Sequence, residues 1–136
     1  MATLTGECLC GEIRYECTEQ PVMAGHCQCK DCQKISGTGH ISSIALPRGS
    51  LDIKGTLSFH EKKAASGNTV RRGFCPGCGC HIYAENSGFP QFEFIRAGSL
   101  HDPEVFKPGM VVYTSSAPSW DYTDPELPAF ETMPEM

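Results

Sequence analysis

The chain has 136 residues, with 11 Lys and Arg against 16 Asp and Glu and a formal net charge of −5. That balance argues against a nucleic-acid grip, which draws most of its affinity from basic side chains set against phosphate. No run approaches the apolar length of a membrane span, and Met1 to Glu7 has neither the basic nor the apolar region of a secretory leader. The expectation is therefore a soluble protein of a reducing, cytoplasmic compartment, folded as one domain over residues 1–136 with a core of about 6–130.

Taken in chain order, the sequence predicts a mainly β, all-β type of domain with short helical segments. Glu12 to Cys17 alternates polar and apolar, with Ile13, Tyr15 and Cys17 on one face. Cys29-Lys30-Asp31-Cys32-Gln33-Lys34-Ile35-Ser36 reads as a short helix stopped by Gly37. Ile41 to Leu46, Leu51 to Ile53, Thr56 to Phe59, His81 to Ala84, Phe92 to Ala97 and Met110 to Thr114 are the further strand candidates. Leu46 to Ser50, Ala65 to Asn68 and Asn86 to Gly88 have turn chemistry. Glu61-Lys62-Lys63 reads as a solvated turn, and the Pro, Asp and Glu-rich stretch beyond Pro118 as an irregular strap.

Nine cysteines dominate the chemistry. Their C-x-C and C-x-x-C spacings place thiolates a turn apart, as a tetrahedral zinc ion requires at roughly 2.3 Å per Zn–S bond. A disulfide framework is the rival reading, but the number is odd and close neighbours such as Cys8 and Cys10 bridge poorly. Cys8-x-Cys10 and Cys75-x-x-Cys78 are two knuckles that together complete a closed four-cysteine site. Cys27, Cys29 and Cys32 remain, three ligands at the start of the predicted helix, where free N–H groups steady thiolates. Three protein ligands with one open position is how catalytic zinc is held, whereas closure by Cys80, His81, His26 or Cys17 would make the trio structural.

The order Gly6-Glu7-Cys8-Leu9-Cys10-Gly11, Cys27-Gln28-Cys29-Lys30-Asp31-Cys32 and Arg72-Gly73-Phe74-Cys75-Pro76-Gly77-Cys78-Gly79 resembles the glutathione-dependent formaldehyde-activating enzyme family, the CENP-V/GFA domain. Gly98 to Pro103, Ser119-Trp120-Asp121 and Leu127-Pro128-Ala129-Phe130 resemble the family's usual ending. The resemblance implies a β-tent fold and two zinc ions. One is structural, on Cys8, Cys10, Cys75 and Cys78; the other is catalytic, on Cys27, Cys29 and Cys32. It also implies carbon–sulfur lyase chemistry on a glutathione adduct such as S-hydroxymethylglutathione. Gln28, Cys80, His101 and Met110 to Tyr113 depart from the family pattern, in which the corresponding residues are often histidine, serine or threonine, aspartate, and a histidine-bearing strand.

Three thiolates leave a zinc site with a charge near −1, which favours an incoming thiol over activated water as the fourth ligand. A glutathione-like thiol carries carboxylates, and Arg48, Arg71, Arg72 and Arg96 are the candidate guanidinium partners. Trp120, Tyr113 and Phe130 are candidate pocket walls. His26, His40, His60 and His81 are candidate acid–base groups, and Cys17 reads as core. The alternative from a different class is a non-catalytic scaffold or binding module with two closed zinc sites.

Overall fold

Alternation in sequence becomes alternation in burial. The computed structural model describes residues 4–134. Its strands in chain order are β1 (Leu4–Glu7), β2 (Arg14–Cys17), β3 (Met23–Cys27), β4 (Ile41–Pro47) and β5 (Leu51–Lys54). They continue as β6 (Ser58–Lys63), β7 (Thr69–Phe74), β8 (His81–Asn86), β9 (Phe92–Arg96) and β10 (Val111–Val112). The α-helix, α1, runs over Lys30–Ser36, and short 3-10 turns follow at Ala97–Ser99, Pro103–Val105 and Thr114–Ser116. The fold is mainly β with short helical segments, as expected from the sequence. No described helix is long and apolar enough to cross a membrane.

The strands form two sheets. A three-stranded sheet has the order β1-β2-β5, and a seven-stranded sheet has the order β10-β3-β4-β9-β8-β7-β6. All pairings are antiparallel except β10 with β3, where Val111 and Val112 run beside His26 and Cys27. One face of the large sheet packs on the small one. Leu4, Ile13, Tyr15 and Cys17 meet Ile44, Leu46, Ile82 and Ile95, all at most 3 % exposed. Each such aliphatic side chain stabilises the fold by about 1.5–3 kcal/mol relative to exposure. The register Ile44↔Ile95↔Tyr83 sets this core face. The intervening positions, Gly25↔Ser43↔Arg96 and Ala45↔Phe94↔Ala84↔Arg72, face the other way and line a cavity.

Differences from the sequence expectation have local causes. Strand β2 begins at Arg14, because Cys8 to Ile13 is spent on a knuckle closed by the Cys8 N–H to Ile13 carbonyl bond (3.0 Å). Glu61-Lys62-Lys63 is strand, not turn. β6 is the outer strand of the large sheet, paired only with β7, and charged side chains suit an edge because they discourage further pairing. Three strands were not legible: β1, β3 with its Ala24-Gly25-His26 centre, and β7 with Arg71-Arg72-Gly73. Beyond Pro118 the chain is an irregular strap, tied back through Val111 N–H to Pro128 (2.9 Å) and Phe130 N–H to Val111 (2.9 Å).

Candidate metal centres and the cavity

None of the nine cysteines is in a disulfide. The Sγ atoms of Cys8, Cys10, Cys75 and Cys78 lie within 4.8 Å of one another, with Cys8 to Cys10 at 3.6 Å and Cys10 to Cys75 at 3.7 Å. A zinc tetrahedron with 2.3 Å Zn–S bonds has sulfurs about 3.8 Å apart, so this quartet fits the ion. Gly11 and Gly79 hold the knuckle turns at φ 80° and 75°, a region where a Cβ is strained. Backbone N–H groups of Cys80 and Cys10 bring Cys78 down to about 6. Burial opposes ionisation of Cys8, yet the Ile13 amide (3.3 Å) and the neighbouring thiols hold it below its ordinary value. Cys8 and Cys75 belong to the apolar core, while Cys78 is half-buried and Cys10 exposed, so the quartet runs from the core to the surface.

The second set gathers on the opposite face of the large sheet. Cys27 ends β3, and Cys29 caps α1, its Sγ accepting the Cys32 N–H at 3.3 Å. Gly37 ends that helix in the left-handed conformation, φ 75°, its N–H on the Gln33 carbonyl. The sulfurs of Cys27, Cys29 and Cys32 lie within 4.8 Å of one another, and among the described residues no fourth Cys, His, Asp or Glu joins them. Thiol contacts from Cys27 and Cys32 hold Cys29 far below the ordinary thiol range, helped by the Cys32 and Asp31 amides. Cys27 is pushed up by its contacts with Cys29 and Cys32 and by burial. Contact with Cys27 favours the Cys32 thiolate, but Cys29 and burial outweigh it and push Cys32 up to about 12. The trio is an all-sulfur donor set that suits a soft divalent ion.

Cys27, Cys29 and Cys32 all line a cavity of about 940 Å³. The cavity floor is the outer face of the large sheet. Its rim is α1, the end of the β6–β7 hairpin and Met110 to Tyr113. Lys62 from the hairpin reaches Asp31 on the helix at 2.6 Å, joining two sides of that rim. Tyr113 lines it at φ 60°, the one non-glycine residue with positive φ among those described, a conformation that costs energy and clusters at functional sites.

The remaining candidates divide by position. Arg72 and Arg96 line the cavity, whereas Arg48 pairs with Glu85 at 3.1 Å and Arg71 with Glu61 at 3.5 Å, the latter also stacked 3.5 Å over Phe59. Burial pushes Arg96 down to about 10, opposed by the Cys32 sulfur, so it stays cationic at neutral pH. His26 lines the cavity, bonded through Nδ1 to Ser42 at 2.8 Å, and burial followed by the neighbouring His40 lowers its pKa. His81 stacks on Phe74 outside the cavity, and burial together with Arg96 and Arg72 lowers it to about 4. His60 is exposed on β6. Cys80 sits beside Cys78 and Cys8, with the quartet and not the trio. Cys17 is core, 1 % exposed. Trp120, 68 % exposed, and Phe130 stand outside the cavity lining.

One anchor was not visible in the sequence. Asp121 of the strap accepts from Gln28 Nε2 at 3.0 Å and contacts His40 Nδ1 at 2.8 Å, holding the residue between two cysteines of the trio. Contacts this far apart in sequence leave no periodic signal.

With the two sulfur sets and the cavity in place, comparison is decisive for the family. The profile described as "Glutathione-dependent formaldehyde-activating enzyme" matches residues 3–116. The chain belongs to this GFA family. No curated protein matches it significantly. A crystal structure of a Rhodobacter sphaeroides protein is similar, with a TM-score of 0.58 at 17% identity over 71% of this chain and 87% of that one. At that identity the likeness concerns the fold. Within the GFA-family match lie both sulfur sets, Arg72 and Arg96, while Asp121 falls beyond it.

Proposed function

We propose that this chain is a zinc-dependent carbon–sulfur lyase of the GFA type, acting on an adduct between glutathione or a small thiol and an aldehyde, such as S-hydroxymethylglutathione. The observation that carries this reading is the placement of Cys27, Cys29 and Cys32, their sulfurs converging with no fourth Cys, His, Asp or Glu beside them among the described residues, along a 940 Å³ cavity. Zinc held by Cys27, Cys29 and Cys32 would stabilise the thiolate form of a substrate thiol at neutral pH. In the forward direction the substrate thiolate adds to the aldehyde carbon, the C=O π bond opens onto oxygen as the C–S bond forms, and that oxygen takes a proton from solvent. In the reverse direction the hydroxyl gives its proton back, the C=O bond re-forms, the C–S bond breaks and the thiolate leaves. The quartet, with Cys8 and Cys75 in the core and Cys10 at the surface, is proposed as the structural zinc site.

The chain's own side chains supply the rest. Asp121 fixes Gln28, and with it the backbone between Cys27 and Cys29. Apolar walls such as Met23, Phe94 and Met110 exclude water from the reacting carbon. His26 is the one imidazole on the cavity wall among the described residues, and burial followed by the neighbouring His40 disfavours its charged form. The test is metal content per chain for the wild type and Cys29→Ser, followed by carbon NMR exchange of labelled formaldehyde with its glutathione adduct. Two zinc ions falling to one, with exchange accelerated by the wild type alone, support the lyase. Two ions and no response to any thiol would leave a non-catalytic binding module.

A further inference from the structure

Five arginines are present, and three face a carboxylate: Arg14 with Glu7 at 3.6 Å, Arg48 with Glu85 at 3.1 Å and Arg71 with Glu61 at 3.5 Å. Arg72 and Arg96 face none among the described residues, and these are the two that line the cavity. Arg72 is only 5 % exposed. Its Nε and that of Arg96 are buried donors without a partner, and Arg96 is held through Nη1 to Ser43 Oγ at 2.7 Å. The two acids of the cavity are already engaged, Asp31 by Lys62 at 2.6 Å and Glu85 by Arg48 and the Tyr83 hydroxyl at 2.9 Å.

A buried guanidinium without a counter-ion is costly, by several kcal/mol for an unpaired ion. The sulfurs do not discharge the debt in full. Three thiolates on a divalent ion leave one negative charge, so the two guanidinium ions exceed it by one. What the wall lacks is a monoanion with two coplanar acceptors, the shape of a carboxylate facing a forked donor.

We propose that Arg72 and Arg96 form a carboxylate subsite, so that the thiols this protein accepts are those carrying a carboxylate. This rests on the thiol reading above and narrows its substrate class. The sulfur is placed by the trio, and the carboxylate by the two guanidinium groups, which orients the carbon attached to sulfur within the apolar part of the cavity.

The test titrates metal-loaded protein with 3-mercaptopropionate and with its neutral amide, 3-mercaptopropanamide, compared at equal thiolate concentration. The acid is expected to bind at least about tenfold more tightly, a difference of about 1.4 kcal/mol. Arg72→Gln should bring the two within about twofold by weakening the acid alone, with Arg72→Lys between. Equal affinities in the wild type overturn the subsite and leave the thiol reading standing, a comparison that needs no variant to fold. Should neither thiol bind, the thiol reading fails, and propionate decides the subsite. A rise in Tm with millimolar propionate in the wild type but not in Arg72→Gln supports it, and no rise overturns it.

Discussion

Gln28 donates to Asp121 at 3.0 Å across 93 residues of sequence, joining the trio's backbone to the strap that closes the chain. The approach depends on Gly39. A Cβ there would collide with the Asp121 side chain, although the φ of Gly39 is unexceptional. Charge, amide and missing side chain therefore form one contact.

Replacement of Asp121 by Asn should cost about 1.5–3 kcal/mol, the range for hydrogen bonds to a charged group. The sign with pH follows from its titration. Burial works against the Asp121 carboxylate, but the Gln28 and His40 bonds outweigh it and set its pKa below 3.8. Its contribution is full above the unfolded value near pH 3.8 and is lost as pH falls through the lower folded value. Denaturation curves of the wild type and Asp121→Asn should stay separated from pH 7 to 5 and converge as pH falls towards the lower folded value. A gap that already closes between pH 7 and 5 would contradict this.

Gly39→Ala should destabilise by about 1–3 kcal/mol through overpacking. Because the collision is with Asp121 alone among the nearest atoms, Gly39→Ala combined with Asp121→Ala should cost less than the sum of the two single changes. Additive losses in a double-mutant cycle would sink the account.

The two sulfur sets should fail differently. Cys78→Ser opens a site that ties two core cysteines, Cys8 and Cys75, together, so it should lose one metal ion and at least about 3 kcal/mol of stability. Cys29→Ser acts at the cavity wall, and should also lose one ion but keep a cooperative unfolding transition within about 2 kcal/mol of the wild type. Metal analysis paired with denaturant unfolding decides it. Equal destabilisation by both would mean that the trio, too, holds the fold together.

Lys62 and Asp31 meet at 2.6 Å, but the lysine is 54% exposed, so Lys62→Ala should change stability by less than about 1 kcal/mol. Its effect should appear at the rim instead. Site-resolved labelling of Cys29 by a charged thiol reagent should quicken several-fold in the variant and, at high salt, in the wild type as well. Labelling rates indifferent to both would remove the clasp from any role in access.

The cysteine spacings and Gly37 made the helix and the two sulfur sets legible, because those signals are local. Alternation revealed β2, and short apolar runs between turn signals revealed β4 and β9, for the same reason. What escaped depended on tertiary position. Arg71-Arg72 reads as a charge pair in sequence, yet the pleat of β7 sends Arg71 to Glu61 and Phe59 and sends Arg72 into the cavity. Met23 to Cys27 has few β-branched residues and became a strand because β4 and β10 flank it on both sides. Glu61 to Lys63 could be a strand only as an edge. Trp120, an attractive wall by composition, is carried outward while its neighbour Asp121 turns in.

The two sulfur sets also differ in how far the chain must travel to make them. Cys27, Cys29 and Cys32 sit within one strand end and one helical turn, so an unfolded chain already holds them within reach of a single ion. Cys10 and Cys75 stand 65 residues apart and meet only when the small sheet docks on the large one. A denatured molecule therefore keeps a three-sulfur chelator but no quartet. On the two-zinc proposal, refolding in the presence of metal would start from a chain loaded at its cavity end, and the second ion would register the docking of the two sheets.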